Sequence, residues 1–410
     1  MVQIKLDLEK VLLAVFLAVL FFIGPGVLFD HKIKHDFPYA YMASDAFQHQ
    51  VRAEAIKDAG NFRYEAPYIS QGFENVVGRY PPMLYHLAVI LSYSAGISTY
   101  DSIYFVVLFF AIIGILIMYI IIKNFNKNVA LISLPFTILI LSYPLAIGFT
   151  WGHWPSLLSQ FFLIAFFWCI MRVDLDKSYV LISLIFTSII FTHTSEAVFA
   201  IIFLILFSAF RLIGKNLNKS YLKNFIIAFV ISFVISAYYL VIFKYTWAAT
   251  ETYKFFVEPV WQGNPGFYIA DFGILLIFIA AGAIFSVFRL KNMHTSMILA
   301  FSMFIGSYMN YIGFSLRSFQ LRFFWPVYLS VFFGFGIYVL LKFIIKKWNV
   351  MYSLMLMIVF TIILTGLIRI PSMPYYTPLK SQGIMDIYHW SALSWLSKNT
   401  ELNSKIYFFY

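Results

Sequence analysis

Long apolar runs constrain this chain more than any other feature of its sequence. A helix needs about 20 apolar residues to cross the roughly 30 Å hydrocarbon core of a bilayer, and a helix satisfies its backbone polar groups within the segment itself. Eleven apolar runs lie at residues 10–29, 102–122, 129–147, 154–171, 178–192, 197–210, 224–243, 267–288, 295–313, 323–341 and 350–368. The sequence therefore predicts an all-α polytopic membrane protein with about eleven transmembrane helices.

The composition narrows the class of function. Hydrophobic residues make up 62% of the 410 residues and charged residues only 11%, whereas soluble domains carry about 25% charged residues. No phosphate-binding glycine loop, metalloprotease motif or nucleophile elbow occurs in a suitable context, so a soluble nucleotide-using enzyme is not supported. The net charge of +11 suits inner loops and anionic lipid, because no nucleic-acid-binding motif accompanies it. A single cysteine, Cys169, rules out a disulfide framework.

The segment 83–97 decides the predicted topology. It is only 15 residues long and His86 and small polar residues interrupt it, so we expect it to lie at the outer interface without crossing. The N-terminus and inner loops then hold 15 basic and four acidic residues, against 14 basic and 14 acidic residues outside. Because cytoplasmic loops are enriched in Lys and Arg, the N-terminus is predicted inside and the C-terminus outside.

This topology places the remaining polar clusters on the outer, extracytoplasmic face. They are the helical first loop 30–101, the turn Trp151-Gly152-His153, the turn His193–Glu196, the loop 244–266, the segment Arg317–Arg322 and the tail 370–410. The inner loops are short and basic, as expected for charge anchors. We therefore expect the function to reside outside.

Asp45 begins a charged helix in the first loop. Apolar residues recur every fourth position from Phe47 to Ala59, and Gly60 follows as a stop signal. One interpretation makes Asp45 the N-cap of this helix, with Gln48 completing a pair like a capping box. The other makes it a base or a metal ligand, because a helix N-terminus keeps a carboxylate ionised.

The turn from His193 to Glu196 joins two short apolar runs. At 1.5 Å per residue, arms of 15 and 14 residues reach roughly 21–23 Å, which predicts a tip below the outer membrane surface. Ionisable residues at that depth are candidates for function, although a hydrogen-bonded structural tip remains an alternative. His153 tops a second outer turn and is open to the same two interpretations.

Several outer cations could bind a lipid phosphate, since guanidinium groups contact phosphate through two hydrogen bonds. Arg317 and Arg322 flank the start of the tenth span, and Arg79 precedes Tyr80 and two prolines. Interfacial anchoring is the alternative for each of them. In the loop 244–266, Glu258 and nearby aromatic residues could face a sugar or belong to the interfacial belt.

These pieces together resemble the multispanning C-type (GT-C) glycosyltransferases, which include protein O-mannosyltransferases, aminoarabinose transferases and oligosaccharyltransferase catalytic subunits. The resemblance rests on the first span, Asp45 with Arg52, the run Arg79-Tyr80-Pro81-Pro82, and the run Ala392-Leu393-Ser394-Trp395-Leu396-Ser397-Lys398-Asn399. The architecture covers nearly the whole chain, whereas the motifs are short. It implies a membrane domain at 1–369 and an outer C-terminal segment from 370.

The resemblance implies an outward-facing active site in the cell membrane that takes a polyprenyl-phosphate-linked sugar donor. Asp45 then corresponds to the catalytic first-loop acid, and Arg317, Arg322 or Arg79 holds the departing phosphate. The residues expected to line the cavity are His49, Arg52, Tyr80, His153, His193, Glu196 and Glu258. The acceptor would be a protein, a lipid or a glycan.

The sequence also departs from part of that superfamily. The second outer loop reads Thr150-Trp151-Gly152-His153 without an acid, and the tail lacks a Trp-Trp-Asp-Tyr-Gly motif. Transfer to asparagine is therefore disfavoured, and a divalent metal stays an open possibility. The apolar run 406–410 predicts that the outer segment is incomplete.

Three other functions compete with sugar transfer. A transporter or flippase of lipid-linked saccharides would share a basic pocket, but it usually has internal repeats, and no convincing inverted repeat occurs. A non-catalytic assembly protein would need Asp45 only as a cap. A polysaccharide ligase or polymerase would need a larger late outer loop than 244–266.

Overall fold

The computed structural model of the chain describes residues 7–28, 30, 32–61, 80–142, 145–173, 175, 177–214, 219–244, 269, 272–288, 293–313, 317–369, 383–401 and 404. Within these ranges the chain is helical, apart from turns and one isolated bridge between Tyr41 and Gly383. All-α architecture is therefore confirmed for the described part of the chain.

The α-helices follow one another in the order of the predicted apolar runs, with additional helices in the first loop and in the tail. They are α1 (Leu8–Leu28), α2 (Ser44–Ala59), α3 (Met83–Ala95), α4 (Thr99–Phe125), α5 (Lys127–Ser133), α6 (Ile147–Thr150), α7 (Trp154–Ile170), α8 (Ser178–Ile190), α9 (Thr194–Ile213), α10 (Lys219–Phe243), α11 (Leu275–Val287), α12 (Thr295–Gly306), α13 (Trp325–Tyr328), α14 (Ser330–Ile344), α15 (Val350–Arg369) and α16 (Ile387–Asn399). Short 3₁₀ helices occupy Leu134–Leu141, Met309–Ile312 and Ser318–Phe324.

In the part of the chain that the structure describes, five helical stretches are long and apolar enough to cross a membrane by length and composition. They are Leu8–Leu28, Thr99–Phe125, Thr194–Ile213, Lys219–Ile242 and the composite stretch Ser318–Ile344. Shorter apolar helices occupy the other predicted spans. A multi-pass membrane protein follows, while the count of eleven spans remains a prediction.

The predicted span 129–147 is not one continuous helix. The α-helix α5 ends at Ser133 and a 3₁₀ helix runs from Leu134 to Leu141. Pro135 lies in the first turn of that 3₁₀ helix. Because proline has no amide hydrogen and its ring clashes with the preceding turn, it interrupts α-helical hydrogen bonding here. The apolar pattern alone did not reveal this break.

Glycines let the long helices pack closely. A Cβ atom added to Gly282 on α11 would lie 1.9 Å from the backbone oxygen of Phe332, and one on Gly336 would lie 2.0 Å from that of Phe278. Such small-residue contacts replace the hydrophobic effect as the source of helix association in a membrane. The pairing of α11 with α14 therefore depends on these two glycines.

Helix α3 stays at one end of the bundle. At the opposite end, Glu9 of α1 accepts hydrogen bonds of 2.5 Å from both Tyr119 and Lys123 near the end of α4. Helices α1 and α4 are thus antiparallel, and the chain between them returns to the end at which it left. The α3 residue Tyr93 donates to the α2 carbonyl of Lys57 at 2.9 Å. This arrangement agrees with the prediction that residues 83–97 do not cross.

The orientation in the membrane can be tested by cysteine labelling. Asn124 and Asp58 are exposed at opposite ends of the bundle, and the native Cys169 is buried. We expect Asp58→Cys to react with an impermeant maleimide in intact cells and Asn124→Cys to react only after permeabilisation. The reverse pattern would invert the predicted orientation, and labelling of both in intact cells would contradict the fold.

Candidate functional site

Asp45 lies in the first turn of α2 and does not cap it. The N-cap is Ala43, and no side chain makes a capping hydrogen bond there. The interpretation of Asp45 as a cap, with Gln48 completing a capping box, is therefore wrong. The Asp45 side chain is 39% exposed, and a carboxylate in a first helical turn is stabilised by the helix dipole. Asp45 is thus an accessible carboxyl group that does not cap its helix.

A glycine in the turn between α6 and α7 holds the start of α2 in place. Gly152 has a φ of 84°, and a Cβ atom on it would lie 2.3 Å from the backbone nitrogen of Ala46. The amide of Met42 donates to the carbonyl of Thr150 at 2.8 Å. Only glycine fits both the left-handed backbone and this close approach. The turn therefore sets the position of Asp45, a role that sequence reasoning did not assign to Gly152.

Other contacts tie the chain before α2 to the bundle. His35 Nδ1 lies 2.7 Å from the Asp101 carboxylate at the start of α4, and both side chains are buried. Tyr104 donates to the carbonyl of Ala40 at 2.9 Å. The amide of Ile384 donates to the carbonyl of Tyr41 at 2.8 Å, which brings the described tail to the same place. The segment 32–43 that precedes α2 is therefore a fixed part of the fold.

Arg317 faces Asp45. Its Nη1 atom lies 3.6 Å from Asp45 Oδ2, and the two side chains are 53% and 39% exposed. Exposed ion pairs of this kind contribute only about 0–1 kcal/mol to stability. The pair therefore contributes little to stability. It does place an accessible carboxylate and an accessible guanidinium side by side at one end of the bundle.

Aromatic rings form one side of this site. The Arg52 guanidinium lies over the Tyr80 ring, 4.8 Å from its centre, and the ring of His49 packs edge-on against Tyr80 at 5.2 Å. His49 Nδ1 also lies 2.8 Å from the Tyr85 hydroxyl. Burial raises the pKa of the Tyr80 phenol above its ordinary value. The nearby charges of Arg317 and Arg52 oppose this rise but do not cancel it. The contacts bring together the predicted residues His49, Arg52 and Tyr80 beside the Asp45–Arg317 pair.

Two buried histidines stay neutral at physiological pH. Burial, and then the charge of Arg52, hold the pKa of His49 well below its usual range. Burial, and then the charge of Arg317, lower the pKa of His153 to about 3. These two rings therefore add no positive charge to the site. Its positive charge comes from arginines such as Arg52 and Arg317.

A buried network of polar side chains lies behind the site. Glu196 has no exposed surface, contacts the ring of His193 and accepts a 2.6 Å hydrogen bond from Ser156. The Gln320 amide nitrogen lies 2.9 Å from His153 Nδ1. The expected cavity-lining role of Glu196 is thus not met, because its carboxylate is enclosed by protein. Among the predicted residues at this tip, His193 keeps partial exposure, at 16% of its side chain.

Arg322 is part of the scaffold. Its side chain is completely buried, and its Nη2 atom donates to the Ser307 carbonyl at 2.8 Å and to Asn310 Oδ1 at 3.2 Å. The guanidinium also lies over the rings of Tyr308 and Tyr311. An enclosed guanidinium with these partners is not placed to bind a lipid phosphate. The expectation for Arg322 is corrected accordingly, while Arg317 retains it.

Replacing Arg322 should therefore affect stability. Hydrogen bonds to a charged group contribute about 1.5–3 kcal/mol each, so Arg322→Met is expected to lower the thermal unfolding midpoint of the purified protein in detergent clearly. Arg317→Met, which removes an exposed guanidinium five residues away, serves as the control and should leave the midpoint nearly unchanged. Equal midpoints for the two variants would contradict the scaffold role.

Two predicted residues, Arg79 and Glu258, lie outside the described residues. Among the residues that are described, no group of three or more His, Cys, Asp or Glu side chains is arranged to hold a metal ion. The carboxylate of Asp45 instead has a guanidinium as its near neighbour, which is a poor donor set for a cation.

The three-dimensional structure is similar to those of two membrane glycosyltransferases. The archaeal oligosaccharyltransferase AglB from Archaeoglobus fulgidus, in complex with an inhibitory peptide and a dolichol-phosphate, gives a TM-score of 0.61 at 14% identity, over 96% of this chain and 58% of that chain. The same oligosaccharyltransferase in complex with Zn and sulfate gives 0.61 at 13% identity, over 94% of this chain and 55% of that chain. ArnT from Cupriavidus metallidurans bound to undecaprenyl phosphate gives 0.55 at 10% identity, over 90% and 74%.

This chain therefore spans somewhat more than half the length of the archaeal structures. No protein-family model matches the chain, and no curated protein matches it in sequence. At these identities the likeness concerns the fold.

Proposed function

We propose that this chain, which has the GT-C fold, is a membrane glycosyltransferase that transfers a sugar from a polyprenyl-phosphate-linked donor. The observation that carries the proposal is the meeting of Asp45 and Arg317, 3.6 Å apart and both accessible, at one end of that fold. Asp45 is the general base and Arg317 binds the donor phosphate. The acceptor hydroxyl belongs to a protein, a lipid or a glycan.

The two groups match the two needs of an inverting transfer. Asp45 accepts the proton of the acceptor hydroxyl as its oxygen attacks the anomeric carbon. The bond from that carbon to the phosphate oxygen breaks, and its electron pair stays on the lipid phosphate. Arg317 stabilises the charge that develops there, since a guanidinium forms paired hydrogen bonds with phosphate.

Donor binding would separate the ion pair. The sugar must lie between the base and the phosphate ligand, because the acceptor and the leaving group occupy opposite sides of the anomeric carbon. The Asp45–Arg317 distance of 3.6 Å would therefore lengthen as the donor phosphate takes the place of the carboxylate beside Arg317. Arg52 and Tyr80 lie next to this position and would contact the donor.

The structural neighbours supply support for the donor class. One was solved with a dolichol-phosphate and another with undecaprenyl phosphate. Because the described residues around Asp45 form a poor metal site, we assign Asp45 as a base. We further propose that the site faces the outside of the cell, where lipid-linked sugars replace nucleotide sugars as donors.

A flippase of lipid-linked saccharides is the second candidate, and one assay separates it from the transferase. The purified protein is placed in vesicles with a polyprenyl-phosphate sugar and with cell-envelope material from the producing organism as acceptor. We expect release of polyprenyl phosphate and labelled acceptor, without faster movement of the donor between leaflets. Faster movement with no release would favour the flippase and contradict the transferase.

A further inference from the structure

Glu196 is an unusual residue for its position. Its carboxylate is completely buried at the start of α9, where it accepts a hydrogen bond from Ser156 and contacts the ring of His193. A buried carboxylate costs solvation energy that its partners rarely exceed, so an apolar residue of similar size is often as stabilising or more so. Stability alone therefore does not account for a glutamate here.

The hydrogen bonds lead from Glu196 across α7 to the segment that carries Arg317. The Gln160 amide nitrogen donates to Ser156 Oγ at 3.3 Å and to the backbone carbonyl of Gln320 at 3.1 Å. The backbone N–H of Gln320 in turn donates to the backbone carbonyl of Arg317 at 3.0 Å. The side chains of Ser156, Gln160 and Gln320 are all buried. An enclosed path of polar contacts thus joins Glu196 to the backbone of Arg317.

Hydrogen-bond donors and acceptors give this path a single direction. A hydroxyl carries one hydrogen, so Ser156, which donates that hydrogen to Glu196, accepts from Gln160. The amide nitrogen of Gln160 therefore faces Ser156 and Gln320, and its oxygen accepts from the Tyr328 hydroxyl at 3.1 Å. Reversing the Gln160 amide would place two oxygens against each other at Gln320. The Gln320 carbonyl and the Tyr328 hydroxyl thus fix the Gln160 amide. The Glu196 carboxylate fixes the Ser156 hydroxyl, which accepts from that amide.

We propose that Glu196 is a positioning residue which, through Ser156 and Gln160, holds the Ser318–Phe324 segment so that Arg317 lies opposite Asp45. The ring of His193 is the second hydrogen-bond partner of the Glu196 carboxylate. The kinetic part of this inference rests on the proposed function, whereas its structural part does not. Glu196→Gln is the informative change, because it keeps the volume but replaces the carboxylate that accepts from Ser156 with an amide that can also donate.

The structural part can be tested without any enzymatic assay. A parent carrying Asp45→Cys and Arg317→Cys is treated with a short bifunctional thiol reagent, and each single-cysteine variant serves as a blank. We expect linkage in the parent and at least severalfold less linkage when Glu196→Gln or Gln160→Met is added. Ser159→Ala is the matched control, since Ser159 is buried on the same helix α7 but lies outside the path. Equal linkage in all of them would overturn the proposal.

The kinetic part uses a double-mutant cycle. Glu196→Gln is expected to lower kcat/KM about tenfold in the native background. A small displacement of the Arg317 guanidinium from its proper position is enough to slow sugar transfer. In an Arg317→Lys background the same change should cost less than about twofold, since coupled residues are not additive. An equal loss in both backgrounds would show that Glu196 acts elsewhere and would overturn the proposal. If no donor is used at all, the proposed function fails while the linkage experiment still decides the positioning role.

Discussion

Asp45→Asn is expected to lower the rate of sugar transfer by about 10²- to 10⁴-fold, the usual contribution of a positioned general base. Asparagine has the same shape as aspartate but does not accept the acceptor proton at neutral pH. The fold should be unaffected, because Asp45 does not cap α2 and its side chain is 39% exposed. The loss should appear in kcat, with donor binding retained.

The measurement compares initial rates at equal amounts of folded protein. Asp58→Asn is the matched control, since Asp58 lies on the same helix α2 and is exposed. That variant should transfer sugar at the native rate. An undiminished rate in Asp45→Asn would reduce Asp45 to a surface partner of Arg317 and would leave the proposed mechanism without its base.

Arg317→Ala is expected to lower kcat/KM by about 10²- to 10³-fold, the range seen when one group that stabilises transition-state charge is removed. Arg317→Lys should recover part of this loss, because lysine keeps the charge but lacks the planar fork that matches phosphate. Neither change should alter stability by more than about 1 kcal/mol, since the ion pair is exposed.

Arg172→Lys provides the control for a general effect of arginine replacement. Arg172 follows α7 at the end of the bundle that holds Glu9, and its guanidinium stacks on Trp168. Transfer should be unchanged in that variant. A similar loss in Arg172→Lys and Arg317→Lys, or full activity in Arg317→Ala, would mean that Arg317 does not hold the donor phosphate.

Much of the arrangement follows from simple features of the sequence. Apolar runs of the right length predict the helices, and the charge difference between loops places the outer clusters at one end. The contacts of Asp45 with Arg317, and of His153 with Gln320, agree with that placement. The helices and the shared end of the bundle can be predicted because spacing along the chain and the cost of burying charge are properties of single segments. The side of the membrane on which that end lies stays a prediction.

Other features depend on contacts between residues that are far apart in the sequence. Arg317 and Arg322 look equivalent in sequence. In the structure, however, Arg322 is buried and donates to the Ser307 carbonyl, whereas Arg317 is exposed. Gln160 lies in an apolar run, and its partner Gln320 is 160 residues away. The distinction between scaffold and site therefore comes from tertiary packing. Gly152 belongs to the same group, because its close approach to Ala46 is a contact between distant segments.

A structure of the protein with bound polyprenyl phosphate would test the central claim most directly. We expect the phosphate within hydrogen-bond distance of the Arg317 guanidinium, with Asp45 released from Arg317 and facing the position of the acceptor. Arg322 should remain buried against Ser307. A phosphate bound at the opposite end, near Lys123 and Lys127, with the Asp45–Arg317 pair intact would contradict the proposal.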